Sequence, residues 1–147
     1  MPTLATNKKA FFDYHIEDKF EAGLVLAGHE VKSIRGGQAS LTGSYVTIRN
    51  GEAFLRNAYI GKYKHASKLD GYDENRERKL LLHRLEILKL TNKEKGLTLV
   101  PIELYTSKNR IKLKVGLARG KKQFDKRESI KKKESKRKID REIRHRI

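Results

Sequence analysis

The 147-residue chain carries 35 Lys and Arg against 18 Asp and Glu, a formal net charge of +17, with 37% hydrophobic and 36% charged residues. That length holds one domain and an appendage, and the charge excess favours a polyanionic partner, either nucleic acid or an anionic lipid surface. The absence of cysteine excludes disulfides and thiolate metal sites; with no apolar run of bilayer length and no secretion signal over residues 1–9, a cytoplasmic location is expected.

Residues 12–20 alternate, Phe12, Tyr14, Ile16 and Phe20 against Asp13, His15, Glu17, Lys19 and Glu21, which predicts a half-buried strand bending through Ala22-Gly23 into Leu24-Val25-Leu26. A short helix is predicted over 29–35, with Val31 and Ile34 on one face and Gly36-Gly37 as its stop. Strands 45–49 and 52–60 flank Asn50-Gly51, a strong hairpin signal. Residues 61–79 read as an exposed loop. After Leu80-Leu81-Leu82, a helix over 83–95 places Leu85 and Leu88 on one face and stops at Gly96. A second hairpin joins 97–105 to 110–117 around Ser107-Lys108-Asn109, and Pro101 confines its strand to an edge or a bulge. In the last strand Ile111, Leu113, Val115 and Leu117 point one way, and Arg110, Lys112 and Lys114 form a basic stripe on the other. The order of strand, helix, hairpin, helix, hairpin predicts a mainly β fold with short helices, arranged as an OB-like antiparallel β-barrel.

Charge divides the chain. Residues 119–147 hold 14 Lys/Arg and 5 Asp/Glu, more than half of the net excess in the last fifth of the sequence. The expected organisation is a barrel over 1–118 and a basic C-terminal tail over 119–147. Ile139, Ile143 and Ile147 share a helical face, but three isoleucines bury too little area, at about 25 cal/mol per Å², to offset roughly 1–2 kcal/mol of backbone entropy per residue. The tail is therefore expected to be disordered when free and to fold on a phosphate surface. Composition alone equally admits a generic polyanion-binding run.

No constellation for catalysis is present. The five histidines are scattered, without HExxH or Cys/His ligand spacing, so no metal and no cofactor is expected. His29-Glu30 reads as two surface residues on a short helix rather than an acid–base pair. Gly116-Leu-Ala-Arg-Gly120-Lys121 departs from a phosphate loop, with three residues between its glycines and Lys122 where Ser or Thr is required. The loop carboxylates Asp70, Asp73 and Glu74 lie among cations, which disfavours a metal site. A non-enzymatic binding protein is expected, with a structural ribosomal protein and an RNA-modifying enzyme as the competing classes.

The motifs Asn7-Lys-Lys-Ala10, Phe20-Glu-Ala-Gly-Leu-Val-Leu26, Glu30-Val-Lys-Ser-Ile-Arg35, Asn50-Gly-Glu52, Arg78-Lys-Leu-Leu-Leu82, Glu94-Lys-Gly-Leu-Thr-Leu-Val-Pro101 and Ala118-Arg-Gly-Lys-Lys-Gln-Phe-Asp-Lys-Arg-Glu128 follow one another in an order and spacing that closely resemble the SsrA-binding protein (small protein B, SmpB) family of bacterial trans-translation. The resemblance implies a barrel that binds the tRNA-like domain of transfer-messenger RNA, and a tail that enters the empty mRNA channel of a stalled ribosome beside the 16S rRNA of the decoding centre. It implies elongation factor Tu and alanyl-tRNA synthetase as indirect partners, through the RNA.

By the same resemblance Asn7, Glu21 and Leu81 hold the RNA, while Lys8, Lys9, Arg78, Lys79, Lys112 and Lys114 contact phosphates. Glu21 would accept from base donors at an unstacked loop. In the tail, Gly120, Lys121, Lys122, Asp125, Lys126 and Arg127 match the run near the decoding centre, with Phe124 as a ring able to stack on a base. The sequence departs from the family at Asp73-Glu74, where an Asp-Pro is usual, in a shorter helix before Gly96, and around Ser135, where an aromatic is often found.

Overall fold

The computed structural model describes residues 3–66 and 69–121. Its elements run β1 (Thr3–Thr6), α1 (Lys8–Asp13), β2 (Tyr14–Leu24), α2 (Gly28–Arg35), β3 (Ala39–Ser40), β4 (Tyr45–Arg49), β5 (Glu52–Arg56), β6 (Tyr59–Ile60), β7 (Arg78–Leu81), α3 (Arg84–Thr91), β8 (Leu97–Ser107) and β9 (Arg110–Gly120). Seven strands form one antiparallel sheet in the order β1-β8-β9-β2-β7-β5-β4, and β3 pairs with β6. The mainly β class with short helices is as the sequence predicts.

The ladder does not close. β1 and β4 stand at opposite ends of the sheet order, so the backbone bonding of a closed barrel is missing between them, and the expectation of a barrel is met only as far as a sheet wrapped around one core. That core collects Phe20 and Ala22 from β2, Ala53 and Leu55 from β5, Leu80 from β7, Leu99 and Leu104 from β8, and Leu113, Val115 and Leu117 from β9. Ile34 of α2 and Leu90 of α3 plug it, both fully buried.

Local chemistry explains where the elements begin and turn. Asn50 and Gly51 take left-handed backbone (φ 52° and 74°), as a two-residue hairpin turn with the twist of its strands requires. Lys108 and Asn109 do the same (φ 51° and 62°), so β8 and β9 are joined by two residues, and the register is fixed with Ser107 opposite Arg110. Pro101 lies opposite Val115 of β9 and beyond the stretch of β8, residues 103–105, that β1 pairs with; the pairing with β9 shifts between Pro101 and Glu103, which is the bulge the sequence predicts.

Several elements differ from the sequence pattern. Residues 8–13 are helical, so the alternation of 12–20 is strand only from Tyr14, and a bulge between Ile16 and Asp18 explains why Asp18 breaks the apolar register. The strand over 52–60 divides at Asn57 (φ 59°) into β5 and β6. Strand β7 begins inside the expected loop, and α3 ends at Thr91, short of residue 95. β9 runs through Ala118 to Gly120, and Lys121 N–H donates to the Asp13 carbonyl at 2.8 Å. The tail beyond Lys121, and with it the expectation of disorder, lies outside the described residues.

Candidate nucleic-acid interface

Alternation along β2, β9 and β8 places one set of side chains on the outer face of the sheet. Glu21 lies opposite Lys114, which lies opposite Glu103; one step along, Leu81 of β7 lies opposite Gly23, Gly23 opposite Lys112, and Lys112 opposite Tyr105. Two adjacent rows thus cross the sheet at right angles to its strands. They bring together four of the residues singled out from the sequence: Glu21, Leu81, Lys112 and Lys114.

The outer face is closed at one end and open at the other. Past Lys114 the next outward position on β9 is Gly116, where a Cβ would meet Ile102 Cδ1 at 2.8 Å, so a larger residue would push that side chain aside. Ala118 follows, packed with Ala10 of α1, Val100, Tyr14 and Ile16. Helix α1 therefore covers one half of the face and leaves Lys112, Lys114 and Glu21 at the other half.

Within the open half the charges are ordered. Lys114 Nζ is 3.0 Å from Glu103 and 5.5 Å from the Tyr105 ring centroid. Tyr105 Oη donates to Glu21 Oε2 at 2.6 Å. Burial, then the Glu21 hydrogen bond and the charges of Glu21 and Glu103, push the Tyr105 phenol up, so it remains a donor at neutral pH. That bond fixes the Glu21 carboxylate and leaves Oε1 without a hydrogen-bond partner among the described residues. Leu81 is 54% exposed, and its side chain lies over Gly23, where an added Cβ would stand 3.3 Å from Leu81 Cβ. Beside it a cavity of about 240 Å³ is lined by Gly23, Leu24, Val31, Leu81, Arg110 and Lys112. An anchored acceptor, two lysines and an exposed leucine over a shallow cavity can hold phosphates and an unstacked base together.

The remaining sequence-predicted residues divide. Lys8 and Lys9 are exposed on α1. Asn7 is buried; its Nδ2 donates to the Pro101 carbonyl at 2.9 Å and its backbone N–H to that of Ile102 at 2.7 Å, so it fastens the start of α1 to β8. Lys79 is exposed and lies 3.4 Å from Glu52. Gly120 is paired with Tyr14 and Lys121 follows it. Lys122, Phe124, Asp125, Lys126 and Arg127 lie outside the described residues.

Arg78 is a correction. Its side chain is 0% exposed, and Nε, Nη1 and Nη2 are all engaged, with Glu30 Oε2 (2.8 and 3.0 Å), the Ala58 and Glu74 carbonyls and Tyr72 Oη, so a phosphate cannot reach it. The surface placement of Glu30 is corrected with it. Glu30 is 0% exposed in the first turn of α2, where it accepts from Ala27 N–H at 2.9 Å, from Tyr72 Oη at 2.9 Å, and from Arg76 and Arg78. Burial pushes its carboxyl up, but the bonds from Arg76, Ala27, Arg78 and Tyr72 overcome this and hold it at about 2. The Arg78 position was legible only from strand parity: in β7 Arg78 and Leu80 face inward, Lys79 and Leu81 outward. Gly23, Glu103 and Tyr105 were missed because their part in the site comes from cross-strand register.

Among the described residues no group of His, Cys, Asp or Glu is placed to hold a metal ion, and no helix is long and apolar enough to cross a membrane. The SmpB protein family matches residues 4–145. An SsrA-binding protein of a Sulfurihydrogenibium species is 51% identical over 146 residues, covering 98% of this chain and 95% of its own. That of Syntrophobacter fumaroxidans is 53% identical over 140 residues, covering 94% and 86%. A chain of the solved structure "tmRNA-SmpB: a journey to the center of the bacterial ribosome" aligns with TM-score 0.67 and 44% identity, over 84% of this chain and 87% of that one. This chain belongs to the SmpB protein family.

Proposed function

We propose that the chain binds the tRNA-like domain of transfer-messenger RNA (SsrA RNA) and delivers it to stalled ribosomes for trans-translation. The observation that carries this reading is the anchored Glu21 beside Lys112, Lys114 and exposed Leu81, on a sheet face that α1 leaves open. Family membership supports it: relatives at about half identity are SsrA-binding proteins, and the similar solved chain belongs to a tmRNA-SmpB structure on the bacterial ribosome.

In this reading the wrapped sheet over 1–118 serves as an OB-like RNA-binding domain. Glu21 selects base donors, Leu81 supports an unstacked base, and Lys8, Lys9, Lys79, Lys112 and Lys114 take phosphates. Asn7 acts through the placement of Lys8 and Lys9. The tail over 119–147 occupies the empty mRNA channel, with Gly120, Lys121, Lys122, Phe124, Asp125, Lys126 and Arg127 near the decoding centre of 16S rRNA. The protein acts in the cytoplasm as an adaptor without catalysis. Elongation factor Tu and alanyl-tRNA synthetase meet it through the RNA. The test is to purify the chain from its host and sequence the RNA that accompanies it. One dominant RNA with a tRNA-like end is expected, and bulk ribosomal RNA would overturn the reading.

A further inference from the structure

A second surface joins aromatic and cationic groups without using any residue of the Glu21–Leu81 face. The segment after β6 reads Gly61-Lys62-Tyr63-Lys64-His65, and Lys62, Lys64 and His65 are exposed. Lys32 of α2 extends its Nζ to 5.6 Å from the Tyr63 ring centroid, and the His65 ring meets Tyr63 edge-on at 5.6 Å. Neither Lys62 nor Lys64 makes an ion pair among the described residues, so their charge is uncommitted.

The base of this loop is fixed. Gly61 N–H donates to the Gln38 carbonyl at 2.8 Å, and the Gly61 carbonyl accepts from buried Ser33 Oγ at 2.6 Å. The adjoining Ile60 N–H donates to the Glu74 carbonyl at 2.9 Å, and its carbonyl lies 3.0 Å from Tyr72 Oη. A turn follows, in which Ala66 N–H donates to the Tyr63 carbonyl at 3.1 Å. The loop therefore presents its side chains with part of the ordering entropy already spent on folding.

We propose that Lys32, Lys62, Tyr63 and Lys64 form a second RNA contact, taking an unstacked base against Tyr63 and the flanking phosphates on the lysines. The patch has cations and a ring but no aliphatic anchor. That fits a polyanion with π-faces better than a protein surface, whose binding cores are apolar. The inference rests on the RNA-binding reading above and adds a site to it. Two RNAs share this chemistry, another segment of the transfer-messenger RNA and a ribosomal RNA strand.

The full chain is titrated with isolated transfer-messenger RNA in one arm and with small ribosomal subunits in the other, across a salt series, as wild type, Tyr63→Ala and Lys62→Gln/Lys64→Gln. In the arm holding the true partner, Tyr63→Ala is expected to weaken binding about tenfold or more. There the double variant reduces the slope of log K against log salt by about 1.4–1.8, the value for two phosphates. Unchanged melting temperatures verify that the fold is intact. Changes within twofold and unaltered slopes in both arms would overturn the proposal, as would weakened binding to subunits with an unaltered slope and a crosslink from position 63 to protein. Failure here leaves Leu81→Asp still weakening RNA binding by more than about tenfold. Failure of the primary reading appears as a wild type that does not bind the RNA at all.

Discussion

Arg78 and Lys79 are consecutive cations on one strand, and they meet opposite physical demands. Lys79 faces outward beside Leu81, in water and within 3.4 Å of Glu52, where an ion pair is worth little and a phosphate can compete for the ammonium. Arg78 faces inward with Glu30, both at 0% exposure, in a cluster completed by Arg76, Tyr72 and three backbone groups. The open charges are free to change partners. The buried ones cannot, because removing one leaves its partner desolvated and unpaired. This comparison separates affinity from architecture within a sequence whose excess of Lys and Arg gives no hint of the division.

The largest effect is expected from breaking the buried cluster. Glu30→Ala leaves the Arg78 guanidinium buried without its carboxylate, a loss on the order of 3–5 kcal/mol for a pair of this kind. Thermal denaturation followed by circular dichroism should fall by on the order of 10 °C. A shift under about 2 °C would mean that the cluster does not hold the fold. The pH dependence has a definite sign. The folded Glu30 carboxyl is held at about 2, below its ordinary 4.5, so its contribution is present above 4.5 and is lost as pH falls from 4.5 toward 2. The wild type should lose stability through that window more steeply than Glu30→Ala does. Tyr72, pushed up to about 12 by burial and by the Glu30 hydrogen bond, stays a donor throughout.

On the open face, Leu81→Asp is the corresponding break. The side chain is more than half exposed, so the fold should survive, but a carboxylate now stands where phosphates approach. Binding to the tRNA-like RNA should weaken by more than about tenfold, read by filter binding or fluorescence anisotropy. Retained affinity would remove Leu81 from the interface and with it the assignment of that face.

How much of this was legible depends on which force set each feature. Hairpin turns at Asn50-Gly51 and Lys108-Asn109, the α2 span and the basic stripe of β9 follow from local backbone chemistry and a period of two, and a single sequence displays both. Helix α1 was hidden because Phe11 and Phe12 there are exposed, contrary to the usual amphipathic pattern. Arg78 read as an RNA contact because its partner Glu30 lies 48 residues away; strand parity with Leu80 points it inward, but a single sequence does not show the pairing that lets a charged side chain stay there. The same holds for Tyr105 and Glu21, 84 residues apart and bonded at 2.6 Å.

Lys112→Ala sharpens the comparison at smaller amplitude. Lys112 contributes no buried ion pair, so stability should stay within about 0.5 kcal/mol of wild type. The slope of log K against log salt should fall by about 0.7–0.9, one phosphate lost. A loss of stability with an unaltered slope would assign Lys112 to the framework, with Arg78, and not to the face.

The finest test is Gly23→Ala. Gly23 has no positive φ to protect, so the glycine is there for space: an added Cβ would lie 3.3 Å from Leu81 Cβ and 3.5 Å from Cδ1, tight enough to push that side chain by a few tenths of an ångström. The alanine lowers the entropy of the unfolded chain, a gain in stability of roughly 0.4–1 kcal/mol that offsets much of the crowding. Melting should therefore change by no more than about 3 °C in either direction. Leu81 is the group the RNA meets, and its displacement should appear in binding, as a two- to fivefold loss on the order of 1 kcal/mol or less. Equal losses in stability and affinity would mean that Gly23 merely packs; a loss in affinity alone shows that the open face, unlike the buried cluster, can be detuned without touching the fold.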